Sequence, residues 1–141
     1  MYEYSCKIVK VIDGDTVDVD IDLGFELWLK KQRIRLYGVD TPESRTRDLV
    51  EKKYGLAAKA FVQKFLPVGS KQVLRTELDD RGKFGRILGH FVIDIERKGK
   101  AAVSSTINEE LIRTHNGVKY HGQSKESIEN EHLQNRERVQ L

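Results

Sequence analysis

The sequence predicts an α+β fold: a five-stranded OB-type Greek-key barrel carrying three helices. Two observations lead there. Apolar and polar residues alternate with a period of two in the first part of the chain, and the elements run three strands, a helix, two strands, two helices. Five strands with a helix between the third and fourth match that barrel, a fold that commonly binds oligonucleotides. Residues 1–141 are expected to form one such domain.

Cys6 to Ile12 is rich in β-branched residues, and Val17, Val19 and Ile21 alternate with Asp18, Asp20 and Asp22. Asp13-Gly14 between these runs is a hairpin signal. Alternation resumes from Lys31 to Tyr37, with Ile34 and Leu36 on one face and Arg33, Arg35 and Tyr37 on the other. Ala57, Ala60, Phe61 and Phe65 recur at helical spacing until Pro67 and Gly69 stop the run. Two further strands are expected over Gln72–Leu78 and Arg86–Ile95, joined by the polar turn Asp79-Asp80-Arg81-Gly82-Lys83. Thr106-Ile107-Asn108-Glu109 has the form of a capping box opening a helix to Arg113, closed by Asn116-Gly117. Ser124 caps a last, charged surface helix from Lys125 to about Arg138, whose apolar stripe is only Ile128 and Leu133.

With 141 residues and 38% hydrophobic content, the chain can bury a core without staples. Its 25 Lys+Arg face 22 Asp+Glu, a net charge of +3, so attraction for a polyanion must come from local arrangement. Cys6 is the single cysteine, which excludes an intrachain disulfide and suggests a buried, inert thiol. No apolar stretch is long enough for a membrane span. The N-terminus lacks the pattern of a signal peptide, so a cytoplasmic location is expected unless a leader was removed. A monomer is expected, and the chain has no internal repeats.

Arg35-Leu36-Tyr37-Gly38-Val39-Asp40-Thr41-Pro42-Glu43, downstream of Ile12-Asp13-Gly14-Asp15-Thr16-Val17, carries the chemistry. Arginine grips phosphate through two parallel hydrogen bonds, and carboxylates hold a hard divalent cation. Both ingredients together suit work on phosphate esters and suggest a nuclease. A zinc site is not expected, since His90, His115, His121 and His132 fall at no ligand-like spacing. Glu43 has two readings: a general base one water from phosphorus, or a partner for Arg45 or Arg47. Asp13 is equally a second carboxylate near a metal or a turn-setting residue. Asp18, Asp20 and Asp22 read as solvated surface, and Phe25, Leu27 and Trp28 as core or loop packing rather than a base-stacking platform. Lys52, Lys53, Lys59 and Lys64 form a solvated helix face that also attracts a nucleic-acid backbone.

Further motifs are Tyr54-Gly55 opening the first helix, Lys83-Phe84-Gly85-Arg86, Asn108-Glu109…Leu111-Ile112-Arg113, and Tyr120. In this order and at compatible spacing, from about Ser5 to Arg138, the sequence resembles the thermonuclease (staphylococcal nuclease-like) family. The resemblance implies a Ca²⁺-dependent endonuclease acting on DNA and RNA with little sequence preference, cutting the P–O5′ bond and leaving 3′-phosphates. It implies Asp15 and Asp40 as calcium ligands, with the backbone carbonyl of Thr41 as a third. Glu43 takes the place of the acid that orients or deprotonates the attacking water, and Arg35 and Arg86 those of the phosphate-binding arginines. Tyr120 corresponds to a tyrosine of the nucleotide pocket, and Lys83 joins it as a substrate-binding candidate.

The sequence also departs from the family pattern. Phe84 stands where the reference nuclease has tyrosine, Gly82 replaces an acidic residue, and His121-Gly122 follows Tyr120 in place of a second aromatic. These changes bear on nucleotide affinity more than on chemistry. Lys100 to Thr106 reads as a surface insertion. The rival readings are a catalytically inactive OB-fold nucleic-acid-binding module and a structural interaction domain. The first should have lost a carboxylate or an arginine, and the second leaves their clustering unexplained.

Overall fold

The computed structural model describes residues 2–77, 87–97 and 99–141. Strands β1 (Tyr2–Asp13), β2 (Thr16–Asp22) and β3 (Trp28–Leu36) form an antiparallel meander. A two-residue strand β4 (Val39–Asp40) follows, then helix α1 (Leu49–Phe65). Strands β5 (Lys71–Thr76), β6 (Ile87–Arg97) and β7 (Lys100–Thr106) lead into α2 (Ile107–Arg113). A second two-residue strand, β8 (Val118–Lys119), pairs with β4 before the last helix, α3 (Lys125–Asn135).

The main sheet runs β3-β2-β1-β5-β6-β7, and β3 also pairs in parallel with β6. That extra pairing joins the two ends, so β1, β2, β3, β5 and β6 close on themselves as the expected five-stranded barrel. Closure removes the free edges that an open sheet would expose. The barrel interior holds Ile8, Val17, Val19, Ile34, Leu36, Leu74 and Phe91, each at most 1% exposed. Val62 from α1 and Leu66 just after it, with Ile107 and Leu111 from α2, pack into the same core. Cys6 lies within it, and burial pushes its thiol up to about 12, which leaves it unreactive.

Several local expectations need correction. Lys100–Thr106, read as a surface insertion, forms strand β7, a hairpin partner of β6. Its small residues and two open faces give no alternation to read. Phe25, Leu27 and Trp28 do not pack inward: they are 97%, 60% and 40% exposed. Phe25 and Glu26 adopt positive φ, which turns the β2–β3 hairpin tip outward. Tyr54-Gly55 lies in the second turn of α1, because Asp48 caps the helix by accepting from the N–H groups of Val50 and Glu51. After α2, His115 takes the left-handed conformation. Gly117 is required instead because a Cβ there would lie 2.6 Å from Val39 Cγ2.

The fourth strand ends at Thr76 rather than Leu78, and α3 at Asn135 rather than Arg138. The turn over 79–83, and with it Lys83, Phe84 and Arg86, lies outside the described residues. No described helix is long and apolar enough to cross a membrane.

Candidate active site

The β1–β2 hairpin supplies the first carboxylates. Asp13 pairs with Thr16, so Gly14 and Asp15 form the two-residue turn. Gly14 is there because a Cβ would lie 2.9 Å from both Ala58 Cβ and Thr41 Oγ1. The turn therefore sits against α1 and the loop after β4. Two contacts fix it: the Thr41 N–H donates to Asp15 Oδ2 at 3.2 Å, and the buried Ser44 hydroxyl donates to Asp13 Oδ1. Asp13 also lies 3.7 Å from Arg45. It ties the turn to the loop.

Arg35 stands at the end of β3, paired with Thr16 on one side and Leu88 on the other. Ile34 and Leu36 point into the core, which turns Arg35 to the opposite face. Its Nη1 donates to the carbonyls of Leu36 (3.1 Å) and Val39 (2.7 Å), so the turn it precedes holds its guanidinium. The same group lies 3.6 Å from Asp15 and 3.4 Å from Asp40. Asn108, buried at the start of α2, donates to the carbonyls of Tyr37 (2.9 Å) and Gly89 (3.1 Å) and clasps this end of β3 onto β6.

Glu43 lies on the exposed segment between β4 and α1. Gly55 presses against it from the helix: a Cβ there would stand 2.2 Å from the Glu43 carbonyl oxygen and 2.6 Å from Ser44 N. Partial desolvation against the cleft wall, then the charges of Asp13, Asp15 and Asp40, hold the Glu43 carboxyl above the usual glutamate range. No described cation sits within ion-pairing distance of Glu43, and Arg45 turns to Asp13 instead.

Asp13, Asp15, Arg35, Asp40 and Glu43 thus line one cleft of about 520 Å³. Thr41 is buried behind it, its hydroxyl turned towards Gly14 and without a partner among the described residues. Tyr120 lies in an adjoining cleft of about 690 Å³, which shares Arg35 and Asp40 with the first and adds Tyr37, Lys119 and His121. Lys83 and Arg86 fall outside the described residues, so the expected second guanidinium has no position here.

Sequence reasoning missed Ser44, Gly55 as a spacer, and His132, whose Nε2 lies 2.7 Å from Asp40 Oδ2. Ser44 and Gly55 carry no chemical signature in the sequence. His132 is 92 residues from its partner and was set aside because its spacing suggests no metal site.

Among the described residues, no three His, Cys, Asp or Glu side chains stand together as a metal cluster. A cation here would need backbone or water oxygens beside Asp15 and Asp40. Ca²⁺, with roughly six to eight oxygen ligands in flexible geometry, accommodates that mixture. Crowding of four carboxylates against Arg35 and Arg45, felt as the raised Glu43, is what a divalent ion would relieve. The donor set fits a hard cation.

The family model described as staphylococcal nuclease homologue matches residues 33–139. The thermonuclease of Staphylococcus hyicus is 36% identical over 90 residues, covering 62% of this chain and 48% of that protein. The thermonuclease of Staphylococcus intermedius is 38% identical over 88 residues, 61% of this chain and 47% of that one. Endonuclease YncB of Bacillus subtilis is 32% identical over 104 residues, 74% of this chain and 44% of that one. The chain spans about half the length of these curated relatives.

Proposed function

The chain belongs to the staphylococcal nuclease homologue family, and on that premise we propose that it is a Ca²⁺-dependent endonuclease. It hydrolyses phosphodiester bonds of DNA and RNA with little sequence preference and leaves 3′-phosphate ends. One observation carries the reading: Asp15, from the β1–β2 turn, lines a single cleft with Arg35, Asp40 and Glu43 of the 35–43 segment. Surface residues scattered by chance would have no reason to converge there. Two relatives named thermonuclease and one named endonuclease point the same way.

Phosphodiesters resist hydrolysis because their oxygens repel an incoming nucleophile. Arg35, held from behind by the Leu36 and Val39 carbonyls, presents a fixed guanidinium that binds a phosphate oxygen and stabilises charge gathering on phosphorus. Glu43, on the wall of the same cleft, orients the attacking water and takes its proton. Asp15 and Asp40 would hold the cation, and the Thr41 carbonyl would be the remaining protein ligand. A bound Ca²⁺ supplies charge neutralisation at the phosphate and a site for water. Tyr120 lines the path of the nucleotide next to Arg35, and Lys83 is a further substrate-binding residue. Arg86 is the second phosphate-binding arginine.

The test is incubation of plasmid DNA and of RNA with the protein, in Ca²⁺ and then in excess chelator. Expected are metal-dependent smearing and products that a polymerase extends only after phosphatase treatment. Glu43→Gln, purified identically, should lose most activity, and undiminished cutting by it would refute the role of Glu43. Intact nucleic acid with a mobility shift would instead identify an inactive binding module.

A further inference from the structure

Helix α3 has no buried residue and almost no apolar stripe, yet it is docked on the body. The side chains that dock it are polar and recur at helical spacing on one face. His132 reaches Asp40, the Asn135 amide donates to the Gly117 carbonyl at 3.2 Å, and the Arg136 guanidinium lies 5.3 Å from the centre of the Tyr54 ring. Asn135 and Arg136 bind scaffold elements. His132 alone touches a residue of the cleft.

From this geometry we infer that His132 is a positioning residue that fixes the Asp40 carboxylate and thereby raises the divalent-cation affinity of the cleft. The inference rests on the cation reading given above. An ionised carboxylate only accepts hydrogen bonds, so the nitrogen facing Asp40 Oδ2 at 2.7 Å carries the proton. That distance leaves no room for a cation between the two atoms, so His132 supports Asp40 and is not itself a ligand. The imidazole is mostly buried, at 14% exposed, and cannot swing freely away. Asp40 Oδ1 faces the other way, towards Arg35 in the cleft. One oxygen is thus anchored to the helix while the other remains for the site. A carboxylate already held in one rotamer loses less freedom when it binds an ion, and outer contacts of this kind commonly change metal affinity by about 10–100-fold.

The experiment is calorimetric titration of Ca²⁺ into the metal-free protein and into four variants at one pH and ionic strength. Expected are binding by the parent, loss of binding in Asp40→Asn, and weakening by about 10-fold or more in His132→Ala. His132→Gln places an amide donor near the same atom and should remain within a few-fold of the parent. Asn135→Ala loosens α3 without touching Asp40 and should bind Ca²⁺ like the parent. Parent-like affinity in His132→Ala, or equal weakening in Asn135→Ala, overturns the inference while leaving the cation site standing. No Ca²⁺ binding by the parent, or unchanged binding in Asp40→Asn, overturns both.

Discussion

Gly55→Ala adds a single methyl group where helix α1 meets the segment bearing Glu43. The added carbon would sit 2.2 Å from the Glu43 carbonyl oxygen, 2.4 Å from its carbon and 2.6 Å from Ser44 N. The first contact is about 1.2 Å short of ordinary van der Waals distance, which begins near 3.4 Å. All three atoms are backbone, so no rotamer change relieves the clash, and the segment or the helix must shift by about 1 Å. Two energies compete. Alanine gains about 1 kcal/mol over glycine inside a helix, while overpacking costs about 1–3 kcal/mol. The clash prevails, with a net loss of up to about 2 kcal/mol and a Tm lower by up to about 8 °C in a domain of this size. Activity should suffer more, because a catalytic group displaced by about 1 Å can lose about 100-fold. Thermal unfolding followed by circular dichroism, beside initial rates of plasmid nicking at 25 °C or so, separates the two effects. A variant with higher Tm and undiminished rate would show that Gly55 does not set the position of Glu43.

Arg35→Ala should lower cleavage by about 10³-fold or more, the scale of arginine clamps in phosphoryl transfer, while far-ultraviolet circular dichroism stays unchanged; a near-normal rate would remove Arg35 from the chemistry. Glu43 carries a raised pKa in the folded protein, so its ionisation opposes folding as pH rises through the window above the ordinary glutamate range. In chelator, Glu43→Gln should therefore melt higher than the parent at neutral pH, with the gap closing as pH falls below that window; a gap independent of pH would refute the crowding. Asn108→Ala removes two hydrogen bonds that join Tyr37 and Gly89 and should cost about 2 kcal/mol by chemical denaturation; an unchanged midpoint would mean that the clasp contributes nothing.

Legibility in the sequence followed burial. Ile34 and Leu36 alternate because one face of β3 is core and the other is cleft, and that alternation by itself points Arg35 outward. The same reading began β3 at Lys31 rather than Trp28 because Lys31 has positive φ and the β2–β3 register shifts beside it, which resets the period. Strands β4 and β8 are two residues long, too short for any pattern, yet β4 carries Asp40. The carboxylates and Arg35 were legible because their types and spacing form motifs. What holds them was not: Ser44 under Asp13, Gly55 under Glu43 and His132 behind Asp40 act through contacts that only the folded chain creates.

Barrel closure also divides the site by time scale. The residue pairs of Arg35 lie on two neighbouring strands, with Thr16 on one and Leu88 on the other, so exposing its peptide group requires opening a closed ring. Glu43 rides a segment with neither helix nor strand. Amide hydrogen exchange around Arg35 should accordingly follow global unfolding, while the 43–47 segment exchanges through small local fluctuations. The wall that carries Arg35 thus opens only with the whole barrel, while the loop that carries Glu43 adjusts around its one buried anchor, Ser44.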